Sequence, residues 1–226
     1  MRSLVRTTVF ATTIAMLTAC GGSEQAAYPP SDSAGQKITQ APAAPAAPYR
    51  LSLPPSLLGG TYKDSDPSEP DENLADGVSA WVDQPVSVRA TYDGPNYPKK
   101  NYGPFIAING VHGTVLAPAP AREEFLRLLD HSRKSEPPAK TVIGPKTIVP
   151  AGSSEPLSCR VVERAHTTGD DFTVVGPECS WADASAIVNI SESTDPTQPI
   201  RASDIGLAAF ATKVATIRNE IRAPLS

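Results

Sequence analysis

Leu157 to Ile190 reads LSCRVVERAHTTGDDFTVVGPECSWADASAIVNI, and this stretch decides the fold. It holds the only two cysteines outside the first 20 residues, Cys159 and Cys179, and the residue midway between them is Gly169. That glycine lies in Thr167-Thr168-Gly169-Asp170-Asp171, a cluster in which a tight hairpin finds a residue tolerant of positive φ. Turn chemistry and cysteine spacing therefore select the same antiparallel register, with Cys159 facing Cys179. Opposed Cα atoms of such a ladder lie ~4.5–5.5 Å apart, within reach of a disulfide. In that register Leu157, Cys159, Val161, Val175, Cys179 and Trp181 share one face. Ala182 to Ser185 then turns the chain into a third strand, Ala186 to Ile190, with Asp183 bonding local backbone amides and Trp181 capping the disulfide.

Upstream, Val86 to Tyr92 alternates with period two, so Val86, Val88, Ala90 and Tyr92 are expected on one face of a strand. Asp93-Gly94-Pro95-Asn96-Tyr97-Pro98 forces a loop, Tyr97 and Tyr102 offer a recognition edge, and Phe105 to Val111 returns as a strand. Pro118 and Pro120 suit the opening of a helix running to about Ser132, burying Phe125, Leu128 and Leu129, with Leu126 at its margin. Thr141 to Val149 reads as an extended connection or edge strand around Gly144-Pro145. Near the C-terminus, Ser203 is placed to cap a helix reaching about Arg222, whose stripe Leu207, Phe210, Val214, Ile217 and Ile221 faces the core. The expected fold class is α+β: an antiparallel sheet of about four to six strands, two helices packed on it, and a disulfide-stapled hairpin.

The N-terminus sets the compartment. Residues 1–19 combine Arg2 and Arg6 with a short apolar run and end in Leu17-Thr18-Ala19, which describes a signal peptide too short to span a bilayer. Followed by Cys20, this ending resembles the lipobox of bacterial lipoproteins, which implies cleavage before Cys20 and thioether lipidation of it. Two or more acyl chains anchor stably, so the expected location is the cell membrane, on its extracytoplasmic face, where Cys159 and Cys179 stay oxidised. Residues 20–50 then form an Ala/Pro-rich tether with too few large apolar residues to pack. The 29 residues from Gly21 to Tyr49 reach ~90 Å when extended at ~3.1 Å per residue. Residues 51–226 are left for a single globular domain, a suitable size for one core.

Composition narrows the functional classes. Without residues 1–19 the net charge is −6, and no run of lysine or arginine forms a phosphate footprint, which argues against nucleic acid. The acidic stretch 64–72 has alternate carboxylates but lacks the glycine of a calcium loop and contains Pro67 and Pro70, so it reads as solvated. Gly59-Gly60 reads as a turn rather than a phosphate cradle. His112, His131 and His166 have no paired metal spacing, and no nucleophile elbow, P-loop or dinucleotide fingerprint is present. No catalytic residue, cofactor or metal ligand is assigned. The C-terminal stripe is too short for a coiled-coil dimer, so a monomer is expected.

The Leu-Pro segment with Gly-Gly before Tyr62, the strand ending at Tyr92, Cys159, Cys179-Ser180-Trp181-Ala182-Asp183 and the C-terminal helix together resemble a group of actinobacterial exported lipoproteins or membrane proteins of unassigned function. Members carry glycine or threonine soon after Trp-Ala-Asp, where this chain has Ala184, Ser185 and Ala186. The resemblance implies an exported domain and carries over no catalytic residues. The leading expectation is a lipid-anchored binding or accessory protein, its ligand an envelope protein or a small molecule. A cell-envelope hydrolase with a spatially assembled site and a purely structural envelope protein are the alternatives.

Overall fold

The computed structural model describes residues 47–66, 70–95, 104–131, 137–166, 172–193 and 200–225. The expected lipidation site Cys20, the expected tether up to residue 46, the tip of the cysteine hairpin, and Tyr97 and Tyr102 lie outside them.

The class is α+β, but the sheet is larger than expected. Eight antiparallel strands lie in the order β2-β3-β4-β5-β9-β8-β7-β6. They are β2 (Ser56–Leu57), β3 (Tyr62–Asp66), β4 (Val82–Asp93), β5 (Phe105–Val115), β6 (Lys140–Ile148), β7 (Leu157–His166), β8 (Phe172–Ala182) and β9 (Ala186–Ser193). The expected four to six strands fell short because β2 and β3 are too brief and too polar to show periodicity. Asp64, read as part of a solvated acidic loop, pairs with Tyr92 as a strand residue instead. A separate two-stranded ribbon joins β1 (Tyr49–Leu51) to β10 (Arg222–Pro224), so the described fold starts at the end of the segment read as tether.

The cysteine hairpin has the expected register, with Cys159 opposite Cys179. Their Cα atoms are 4.1 Å apart and the sulfurs are bonded. A loop of this length stabilises by about 3 kcal/mol in the chain-entropy account.

Two apolar layers cover the sheet. Helix α3 (Leu207–Ile221) lies on one face, where its whole stripe, Leu207, Phe210, Val214, Ile217 and Ile221, is buried with Cys159, Cys179 and Trp181. Val88, Ala90 and Tyr92 join this layer, whereas Val86 sits at a register shift of β4 and is exposed. The helix begins later than expected. Ser203 falls in a 3-10 turn (Ala202–Asp204), and Gly206 precedes the first helical residue without a side-chain cap, because helical geometry starts only where Leu207 reaches the core.

On the opposite face, α1 (Glu72–Gly77) and α2 (Pro118–Asp130) bury Leu74, Val78, Ala121, Phe125 and Leu129 against Val82, Val111, Val115 and Ile187. Full burial of a side chain such as Phe125 contributes about 1.5–3 kcal/mol. Leu128 is only partly buried, its methyl group resting against Gly77. The short α1 was not anticipated; Asp71 caps it by accepting from the Asn73 amide. Strand β9 shows why its residues are apolar almost throughout, as Ala186, Val188 and Ile190 enter one layer and Ile187 the other.

Gly110 marks a close approach. A Cβ there would meet Leu51 Cδ1 at 2.7 Å, so any larger residue would require the Leu51 side chain to shift from its place on β5. Gly59 and Gly60 form the expected turn, both at positive φ, and the preceding Leu58 amide donates to the Glu220 carboxylate of α3. Strand β6 takes the edge position anticipated for Thr141–Val149. No helix among the described residues is long and apolar enough to cross a membrane.

Candidate functional site

On the sheet face that carries α2, one cross-strand row reads Arg89, Asn109, Asn189, Ser180 and Ser158, each opposite the next on β4, β5, β9, β8 and β7. Period-two alternation puts these five on the face away from Cys159, Cys179 and Trp181. The uncovered part of the face forms a recess of ≈ 190 Å³. Phe105, Ala107, Leu129 and Val162 supply apolar wall, and Arg89, Asn109, Asn189, Ser191, Arg164 and Glu178 supply polar groups. A second recess of ≈ 170 Å³ includes Leu126, Arg160 and Ser158, and shares Glu178 and Asn189 with the first.

A four-residue ion cluster forms the floor between them. Glu178, 1% exposed, accepts from Arg160 Nε and Nη2 at 3.2 and 3.0 Å and from Arg164 Nη2. Asp130, the last residue of α2, accepts from Arg160 Nη1 and Nη2 at 2.9 and 2.7 Å. Burial opposes the charge on Arg160, yet bonds to Asp130 and the charge of Glu178 hold its pKa above the ordinary arginine value. The cluster fastens the end of α2 to β7 and β8.

Asn189 has no such compensation. It is 2% exposed, and its Oδ1 has no hydrogen-bond partner among the described residues. An unpaired buried acceptor costs about 1–3 kcal/mol, which an incoming donor would recover. Arg89, exposed at the far side of the row, makes no side-chain ion pair or hydrogen bond among the described residues.

A second polar network, on the opposite face, joins the first and last strands of the described fold. Asp183 Oδ1 accepts the amides of Ser185 and Ala186 at 2.8 and 3.1 Å, the local role expected of it. Its Oδ2 also accepts from Tyr49 Oη at 2.5 Å and Arg222 Nη2 at 2.9 Å, two partners from distant sequence. Arg222 further donates to both Glu155 oxygens, and Arg218, 2% exposed, donates to Ser153 Oγ and lies against the Trp181 ring. Bonds from Arg222, against the opposing effect of burial, hold the Glu155 pKa below the ordinary carboxyl value. The bonds from Tyr49, Arg218 and Arg222 tie α3, β1 and the β8–β9 turn together, which marks the network as structural, although Arg218 Nε and Nη1 and Arg222 Nε are buried without a hydrogen-bond partner among the described residues.

Burial, followed by the bond to Asp183, pushes the Tyr49 hydroxyl from 10.0 up to about 12. Burial, with Glu192 next for Tyr62 and Asp64 next for Tyr92, raises the other two core tyrosines as well. A raised folded-state pKa means that the fold favours the protonated phenol. The stabilisation is thus complete below pH 10 and is lost as pH rises through about 12. Urea midpoints are expected to stay level up to pH 10 and to fall beyond it, and Tyr49→Phe should remove about 1.4 kcal/mol per pH unit of that slope. A midpoint independent of pH across that interval would contradict the burial of these phenols.

The three histidines occupy separate elements: His112 in β5, His131 at the end of α2 with Nδ1 2.8 Å from the Arg127 carbonyl oxygen, and His166 at the end of β7. Burial and then the charge of Arg50 lower the His112 pKa. Among the described residues no group of three or more His, Cys, Asp or Glu is arranged to hold a metal ion. The recess residues were not singled out from sequence. Their signal was an asparagine inside each of two apolar strand segments, Ile108-Asn109-Gly110 and Val188-Asn189-Ile190. No family model, curated protein or solved structure matches this chain.

Proposed function

We propose that this chain is a lipid-anchored, extracytoplasmic binding protein, and that the recess at the end of α2 takes a small solute. The observation that supports this is the recess itself, a mixed polar and apolar hollow between the sheet strands, Asp71 at the start of α1 and Leu129 of α2. Its ≈ 190 Å³ is below the ~300–1,000 Å³ of sites for drug-sized ligands, so its occupant is a small molecule or a single side chain. Its polar lining comes from adjacent strands of one sheet, a rigid platform suited to recognition. The lipobox at Cys20 supplies the membrane anchor, and the Ala/Pro segment supplies reach.

The test is native mass spectrometry on the full chain extracted from membranes of its own cells, in wild-type form and as Ser191→Phe, which fills the recess. The expected result is a small molecule on wild type that is absent from a Ser191→Phe protein of unchanged melting temperature. Equal occupancy of both proteins would overturn the assignment to this recess. In the same preparations Cys20→Ala is expected to move the protein from membrane to soluble fractions, and unchanged membrane retention would reject the anchor.

A further inference from the structure

The asymmetry of the recess carries information about its ligand. The acidic and basic side chains on its floor are matched to one another: Arg160 and Arg164 face Asp130 and Glu178, each within 4 Å of a partner. Asp71 at the rim has one oxygen taken by the Asn73 amide. Arg89 alone among the lining arginines lacks a carboxylate partner among the described residues. At the other side of Asn109 lies the unpartnered buried Oδ1 of Asn189. Two strand spacings of ~4.8 Å separate Arg89 from Asn189 along this row, a distance that one small molecule spans with the help of the arginine side chain.

These groups make complementary demands. A guanidinium presents a planar fork of donors matched to a carboxylate, and a buried amide oxygen requires an N–H or O–H. Resting on the reading of the recess as a ligand site, we infer that the ligand is a small carboxylate bearing an N–H or O–H donor, its carboxylate on Arg89 and its donor on Asn189 Oδ1. A carboxylate is favoured over a phosphate because one unpaired guanidinium faces the recess, too little positive charge for a dianion.

Titration of the intact protein with four millimolar probes tests this: N-acetylglycine, acetate, acetamide and inorganic phosphate, read by calorimetry and by backbone amide shifts. N-acetylglycine is expected to bind more tightly than acetate, which has no donor, and than acetamide, which has no charge. Arg89→Gln should weaken N-acetylglycine about tenfold, the effect of losing a charged hydrogen bond. Asn189→Leu should abolish the preference for N-acetylglycine over acetate while raising the melting temperature of the ligand-free protein, because it removes an unpaired buried acceptor. A merely structural asparagine would instead give a lower melting temperature, and that result would overturn the inference. So would tighter binding of phosphate or acetamide than of N-acetylglycine, or no response to any probe. If the membrane-extracted protein nevertheless carries a small molecule that Ser191→Phe excludes, the recess stands as a ligand site and only the assignment of its chemistry fails.

Discussion

Glu178→Ala is expected to lower the unfolding free energy by about 3–4 kcal/mol, the range found when one partner of a buried ion cluster is removed. Glu178 is 1% exposed, and it is the residue on which both Arg160 and Arg164 converge. Without it Arg160 keeps Asp130 as its carboxylate partner and Thr141 Oγ1 as a neutral one, and Arg164 is left 3.8 Å from the Asp130 carboxylate, so two guanidinium groups share one anion. For a domain of this size the change corresponds to a fall in melting temperature of roughly 6–16 °C. High salt should recover little of it, since the cluster is shielded from solvent ions. Replacing Glu178, Arg160, Arg164 and Asp130 together by apolar residues of similar volume should cost far less than the single change. Calorimetric melting of the two variants decides the point; a Glu178→Ala protein as stable as wild type would show that the cluster does not hold α2 to the sheet.

Asp183→Ala is expected to cost about 3 kcal/mol and to act at a distance in sequence. The carboxylate accepts from Tyr49, from Arg222 and from two amides of its own turn, so truncation leaves four donors short of a partner. Asp183→Asn retains an oxygen for the turn amides and should lose roughly half as much. The distinguishing readout is amide hydrogen exchange. In Asp183→Ala protection is expected to fall in β1 and β10, which Tyr49 and Arg222 anchor, before it falls in the hairpin β7–β8. Uniform loss across both regions would mean that the network does not selectively secure the chain ends.

Legibility followed the range over which each interaction acts. The pairing of Cys159 with Cys179 depended on 20 residues of separation, a central glycine and period-two alternation, all local, and its register was readable at once. The α3 stripe was equally clear, since its periodicity repeats over four turns. Its start was not, because the residue that ends the 3-10 turn is chosen by where Leu207 meets the core rather than by the capping chemistry of Ser203. Strands β1, β2, β3 and β10 contain between two and five residues, too few for any period, and owe their form to partners far along the chain.

The recess belongs to this second kind. The polar side chains Arg89, Asn109 and Asn189 are separated by 20 and 80 residues, and nothing local to any of them announces the other two. What the sequence determined by itself was the class of fold, the stapled hairpin and the helical core stripe, because alternation and turn chemistry are written in neighbouring residues. The tertiary structure alone decided which strands became neighbours, and therefore which polar residues fell into one row on the face that carries α2. Strand order is set by the summed burial of two apolar layers, a property of the folded whole that no single segment carries.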